Sequence, residues 1–184
     1  MIDEKYLYGE DSALLGEAIS RLEGKDAFLE IGLGGGGNLL VAAEKFGFVV
    51  GTDIMTLTNL DSEVLSKAEV LVADKASCFR RGVFDVVVFN PPYLPSESIQ
   101  DVTIDGGPRG VDVPIQFLTS ALEVLKQDGK ILVLLSSLGI IDDFLKLCSD
   151  HSLNVEKFAE RELFFETLSV YLISRIGNGS GKIH

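Results

Sequence analysis

Tryptophan is absent from this chain, and histidine and cysteine occur twice each. Cys78 and Cys148 lie far apart and fit neither a disulfide framework nor a metal-ligand spacing. His151 and His184 come late, with no cysteine pattern beside them. No metal site is therefore expected, and no nucleophile–histidine pair. No apolar run is long enough to span a bilayer. The acidic opening MIDEKYLYGED is unlike a signal peptide, so a cytoplasmic protein with no membrane partner is expected. Basic residues are scarce too: 16 Lys and Arg stand against 28 Asp and Glu, for a net charge of −12. That balance argues against a broad phosphate-binding face and makes nucleic acid the less favoured partner. Lys75, Arg80 and Arg81 form the one local basic group, which is read as a solvated loop.

Apolar residues make up 46% of the 184, enough for a substantial core in one domain over residues 1–176. The polar, glycine-rich stretch 177–184 is expected to be a flexible tail. Strand and helix signals alternate along the chain. An amphipathic helix is expected over 12–22, with Asp11 or Ser12 as its cap, and it is placed to lid a pocket. Strands follow at 27–31, 48–52, 69–73 and 84–89, with helices at 38–45 and 60–68 between the first three. Residues 94–113 have no period and carry Pro95, Gly106, Gly107, Pro108 and Gly110. So long a loop in a compact domain is usually functional, and a substrate-gating role is expected. Asp112 with Pro114 opens a helix that Gly129 should end. A strand at 131–135, a helix at 141–148 and paired strands at 155–162 and 168–174 complete the pattern. This predicts an α/β, doubly wound, mostly parallel sheet with a final antiparallel hairpin.

The stretch Phe84-Asp85-Val86-Val87-Val88-Phe89-Asn90-Pro91-Pro92-Tyr93 carries the chemistry. A buried strand runs into two prolines and cannot continue as a paired strand. The residue before a proline is held extended, so a carboxamide is fixed at the carboxyl end of a strand, where open α/β sheets bind ligands. Asn90 can accept one hydrogen of a planar NH2 group, and a carbonyl of the Pro-Pro turn the other. Tyr93 can lie on the group's face. Such a pocket reads an amide or a base amine. Upstream, Glu30 closes the first strand and Gly32-Leu33-Gly34-Gly35-Gly36-Gly37 leads into a helix. Gly32, Gly34 and Gly37 satisfy the dinucleotide fingerprint. Glu30 and the Asn-Pro-Pro-Tyr turn instead favour Glu-x-Gly-x-Gly-x-Gly ending at Gly36. Asp53 ends the second strand, placed to accept both hydroxyls of a ribose, and Asp74 ends the third, placed to accept from an adenine amine.

This order of motifs resembles a class I S-adenosylmethionine-dependent methyltransferase, and within it the HemK family that methylates the side-chain nitrogen of a glutamine in peptide-chain release factors. The likeness spans residues 8–175. Glu10-Asp11-Ser12-x-Leu14-Leu15 and Gly106-Gly107-Pro108-Arg109-Gly110 resemble segments of the short archaeal and eukaryotic branch, although Tyr8-Gly9 stands where that branch has a proline. The resemblance implies a Rossmann-like, seven-stranded fold and S-adenosyl-L-methionine as cofactor. Gly32, Gly34 and Gly36 would admit the cofactor's amino-acid end, with Glu30 supporting the turn. Asp53 would hold its ribose and Asp74 its adenine, while Asp11 and Ser12 close the pocket. Asn90 and the Pro91 carbonyl would orient the target nitrogen, ahead of Pro92, and Tyr93 would pack the acceptor. It further implies a release-factor substrate and a small zinc-binding activator subunit. RNA or DNA amino-methylation is the alternative, because the same turn serves adenine and guanine amines.

Overall fold

The computed structural model describes residues 9–55, 60–95 and 105–176. In order the elements are α1 (Gly9–Ser20), β1 (Ala27–Ile31), α2 (Gly37–Ala43), β2 (Phe48–Asp53), α3 (Ser62–Lys67), β3 (Glu69–Val72) and β4 (Phe84–Phe89). Then come β5 (Leu94–Pro95), β6 (Asp105–Gly107), α4 (Asp112–Val124), β7 (Leu125–Ser136), α5 (Ile141–Asp150), β8 (Leu153–Glu162) and β9 (Thr167–Arg175). Seven strands form one sheet in the order β3-β2-β1-β4-β7-β9-β8. The first five in that order are parallel, and β9 runs antiparallel between β7 and β8. This is the expected doubly wound sheet with its antiparallel end. The chain reverses direction across the sheet between β1 and β4, so the carboxyl ends of those two strands flank a switch-point crevice.

The sheet is covered on both faces, so its central strands are apolar throughout, as β1 and β4 are in sequence. One core layer packs Phe89, Leu118 and Phe144 from β4, α4 and α5. The other packs Leu15 and Ile19 of α1 with Leu39 of α2, under Val86 and Val88.

Some expected boundaries move, each for a local reason. The first helix starts at Gly9, not Ser12. Asp11 is therefore in the first turn, where its Oδ1 accepts from the Ser12 amide at 2.8 Å. Asp112 is itself helical and Val111 is the cap, without a side-chain bond. Gly129 does not end α4, which stops at Val124. It lies within β7, where a Cβ would meet the Leu125 side chain at 2.7 Å and the Asp85 carbonyl at 3.1 Å. The close approach comes from a bulge: Leu125 pairs with Phe84 and Lys130 with Val86, so residues 126–129 face Asp85 alone. Lys126 Nζ and the Ala27 amide both donate to the Asp85 carboxylate there, at 2.8 and 2.9 Å. The aperiodic stretch after Tyr93 holds a small parallel pair, β5 with β6. The expected tail, 177–184, lies outside the described residues, as does part of the expected gating loop, 96–104.

Candidate active site

A cavity of about 380 Å³ opens at the crevice, lined from four directions by the glycine run, the ends of β2 and β3, the Asn90 turn and one face of α4. The glycines are used at alternate positions. Gly32, Gly34 and Gly36 have φ of +75°, +53° and +78°, whereas Gly37 is already helical. Left-handed backbone favours glycine, so the geometry matches Glu-x-Gly-x-Gly-x-Gly and not the dinucleotide spacing. A Cβ on Gly34 would meet nothing within 4 Å among the described residues, so that residue borders open space.

Polar atoms under the glycine run lack partners. Glu30 is 2% exposed, and its Oε1 accepts from Asn38 Nδ2 at 3.0 Å. Glu30 Oε2, Asn38 Oδ1 and Thr52 Oγ1 are buried with no partner among the described residues. Desolvation, only partly offset by the Asn38 bond, pushes the Glu30 carboxyl up to about 8, and the Asp53 charge adds to this. Unpaired buried polar atoms are costly, so this floor is built to meet polar groups of a ligand.

Asp53 lines the cavity from the end of β2, its Oδ1 accepting from the Met55 amide at 2.9 Å. Asp74 also lines it, but is exposed and ion-paired with Lys75 at 2.6 Å, so its carboxylate is shared. Lys75 thereby joins the wall, and Arg81 lies 3.8 Å from Glu123. Ser12 lines the cavity and Asp11 does not. Asp11 instead accepts from Asn90 Nδ2 through its Oδ2, at 2.7 Å. The first turn of α1 is tied down beside it, since Arg161 of β8 reaches Glu10 at 2.6 Å and Glu17 at 2.5 Å.

Asn90 and Pro92 face the cavity, while Pro91 is buried behind them and Tyr93 packs beyond. Asn90 Oδ1 is buried and has no partner among the described residues. Because the Asp11 carboxylate only accepts, it takes the NH2 end of the amide and leaves the oxygen as the free acceptor of a residue that lines the cavity. Tyr93 is half-buried, and burial, with the charges of Asp11 and Glu166, pushes its hydroxyl up to about 12. The Gly106–Gly110 segment lies directly on this turn: a Cβ on Gly106 would sit 2.8 Å from Tyr93 Cα, and one on Gly110 2.6 Å from the Tyr93 carbonyl.

Sequence reasoning missed the α4 wall, where Val113, Gln116 and Phe117 face the cavity. Phe117 packs on Phe89 with ring centroids 5.7 Å apart. Its only sequence signal was an aromatic ring beside the stripe of Leu118, Ala121, Leu122 and Leu125.

No family model matches the chain. It is 32% identical over 178 residues to a Methanocaldococcus jannaschii protein provisionally named a protein N5-glutamine methyltransferase, covering 91% of this chain and 90% of the relative. Over 102 residues it is 30% identical to the eRF1 methyltransferase catalytic subunit of Schizosaccharomyces pombe, covering 51% of this chain and 44% of that one. Its fold matches a chain of the E. cuniculi Mtq2–Trm112 complex, described as methylating the eRF1 termination factor, with a TM-score of 0.74 and 25% identity over 93% of this chain and 98% of that chain. With the asparagine turn and the glycine spacing already placed at one crevice, the near full-length match establishes that the chain belongs to the HemK family of protein N5-glutamine methyltransferases.

Proposed function

We propose that the chain transfers a methyl group from S-adenosylmethionine to the side-chain amide nitrogen of a glutamine in a peptide-chain release factor, acting in the cytoplasm. The buried, unpaired Oδ1 of Asn90 carries this reading. It is the acceptor end of a side chain that lines the cavity, held by Asp11 through its other end, and a glutamine NH2 is a planar donor of matching size. An amide nitrogen is a poor nucleophile because its lone pair is delocalised. Accepting its hydrogens, one on Asn90 Oδ1 and one on the Pro91 carbonyl, favours the positive charge that develops on nitrogen. Holding the nitrogen in line can contribute roughly 7–11 kcal/mol in the best cases. Tyr93, neutral throughout the physiological range, packs the acceptor without competing as an anion.

The cavity residues fit the cofactor. The open space at Gly34, the orphaned Glu30 Oε2 and Thr52 Oγ1, and the carboxylate of Asp53 give an approach for backbone, acceptors for an ammonium, and an acceptor for ribose hydroxyls. When bound, S-adenosylmethionine supplies a methyl already activated on a sulfonium. Asp74 can receive an adenine amine only while shared with Lys75.

A small activator subunit is part of the reading. The relative of known fold is a two-protein complex, and β3 here is an edge strand with Leu71 41% and Val72 62% exposed. The nucleic-acid alternative loses ground, because the near full-length relative is named for glutamine and the net charge is −12. The deciding experiment is tritiated methyl transfer by the chain, co-expressed with its host's activator, to the host's release factor. Incorporation at the glutamine of its Gly-Gly-Gln loop, lost in Asn90→Ala, is the expected result. Labelling of tRNA or rRNA instead would reverse the choice.

A further inference from the structure

Four large apolar side chains stand in solvent on one rim of the molecule. Phe164 and Phe165, at the tip of the β8–β9 hairpin, are 91% and 85% exposed, and Leu138 and Ile140, after β7, are 42% and 52% exposed. The phenylalanine rings pack edge to face, with centroids 4.5 Å apart. The Leu163 amide donates to the Glu166 carbonyl at 2.8 Å and closes the tip. The two loops are joined: the Ser137 amide donates to the Thr167 carbonyl, and the Thr167 amide to Ser137 Oγ, both at 2.9 Å. The Ile140 amide in turn donates to the Arg109 carbonyl at 3.0 Å, linking the rim to the glycine segment that covers Tyr93. Glu166, next to Phe165, accepts from Ser136 Oγ, and its charge reaches the Tyr93 hydroxyl. The rim is therefore joined, through Arg109 and Gly110, to the turn that carries Asn90 and Tyr93.

Folding leaves these side chains in water. A contiguous exposed apolar patch marks a contact surface, and aromatics are enriched among residues that dominate interface energetics. Glu162 and Asp142, both exposed, stand two residues from Phe164 and Ile140 in the chain. We propose that this rim docks the body of the acceptor protein outside its methylated loop, through an apolar contact flanked by basic groups on the acceptor. The proposal rests on the acceptor being a folded protein, as in the reading above. A glutamine buried in the crevice brings the rest of its protein over this rim. The β3 edge lies at the opposite end of the sheet from β8, so acceptor and activator do not compete for one surface.

The test compares two substrates, the host's intact release factor and a short peptide of its Gly-Gly-Gln loop, using the chain with its activator. In Phe164→Asp/Phe165→Asp the KM for the intact factor should rise about thirtyfold, the order expected when an interface hot spot is lost, while kcat/KM for the peptide stays within about twofold. A milder Phe164→Ser/Phe165→Ser pair should show the same split in smaller measure. Equal losses on both substrates, or no change on the intact factor, would overturn the docking role. So would a wild-type dimer that the substitutions turn into a monomer, because the rim would then join two copies. Failure of the unaltered chain to methylate either substrate would sink the glutamine reading before any substitution is made, and the docking role with it.

Discussion

Asn90 Nδ2 donates to Asp11 Oδ2 at 2.7 Å, across 79 positions of sequence, while Asn90 Oδ1 remains buried and unpaired. The contact decides which end of the carboxamide is left as an acceptor. Flipped, the amide would turn its NH2 towards the NH2 of an incoming glutamine, donor against donor. The Asp11 charge also polarises the amide and strengthens its oxygen as an acceptor.

Asn90→Ala should lower kcat by roughly 10²–10³, the usual effect of removing one hydrogen bond aimed at developing charge. Asp11→Ala should lower kcat by about tenfold, equivalent to about 1.4 kcal/mol, with cofactor affinity unchanged because Asp11 does not line the cavity. In a double-mutant cycle the Asp11 effect should vanish in the Asn90→Ala background. Steady-state kinetics and calorimetric cofactor titration check this. Additive losses would mean that Asp11 does not act through Asn90.

Glu30 gives a pH dependence whose sign is fixed. Its carboxyl is pushed up from 4.5 to about 8 in the folded chain, so between those values the folded state holds a proton that the unfolded state has released. Stability should therefore fall as pH rises through this window. Glu30→Gln, which cannot ionise, should be near neutral at the acid end and gain on wild type towards pH 8, by on the order of a few kcal/mol. Melting curves across that range measure the gap. Calorimetry in buffers of different ionisation enthalpy at pH 7 should show a proton released as wild type binds the cationic cofactor, and none released by Glu30→Gln. A flat difference between the melting curves would mean that Glu30 is already ionised in the fold.

Two glycines with similar backbone should fail differently. Gly34→Ala keeps open space around the new methyl, so it should cost only about 1–2 kcal/mol for the left-handed backbone and mainly weaken cofactor binding. Gly110, at φ +69°, places a methyl 2.6 Å from the Tyr93 carbonyl and 3.0 Å from Gly139 Cα. Both neighbours are backbone, so the turn must shift. Gly110→Ala should cost more in melting temperature and raise the acceptor KM, leaving cofactor affinity near wild type. Reversed effects on the two ligands would contradict these placements.

What was legible in sequence was local. β1 and β4 are short apolar runs closed by Glu30 and by Asn90-Pro91-Pro92, and the fold follows that punctuation. The glycine spacing was ambiguous between two motifs until backbone angles separated Gly36 from Gly37. What stayed hidden depends on distant partners. Nothing near Asp11 in sequence marks it as the partner of Asn90, so its residues alone gave a helix cap and only the family resemblance set it at the pocket. Gly129 read as a helix end because its actual constraint, the Asp85 carbonyl, belongs to another strand. Phe117 reaches the cavity only because α4 crosses over β4, which no periodicity within α4 reveals.

The β3 edge gives the last prediction. β3 pairs with β2 on one side, and among the described residues its other side meets no strand. An unpaired edge flanked by apolar side chains is a template for another chain. Here Leu71 and Val72 are joined by Leu65 of α3, which is 58% exposed. Natural edges are commonly protected by lysine, so an edge left apolar is one that something covers. Leu71→Lys/Val72→Lys should reduce self-association of the isolated chain in size-exclusion chromatography and abolish co-purification of the activator. Its melting temperature should change little, since exposed substitutions usually fall within about 0.5 kcal/mol. Tyr93 and Asn90 lie on the far side of β1 from this edge, so residual methylation of the Gly-Gly-Gln peptide should match that of the wild-type chain tested alone. Activator retained at full stoichiometry by the lysine variant would place its binding surface elsewhere and leave the exposed edge unexplained.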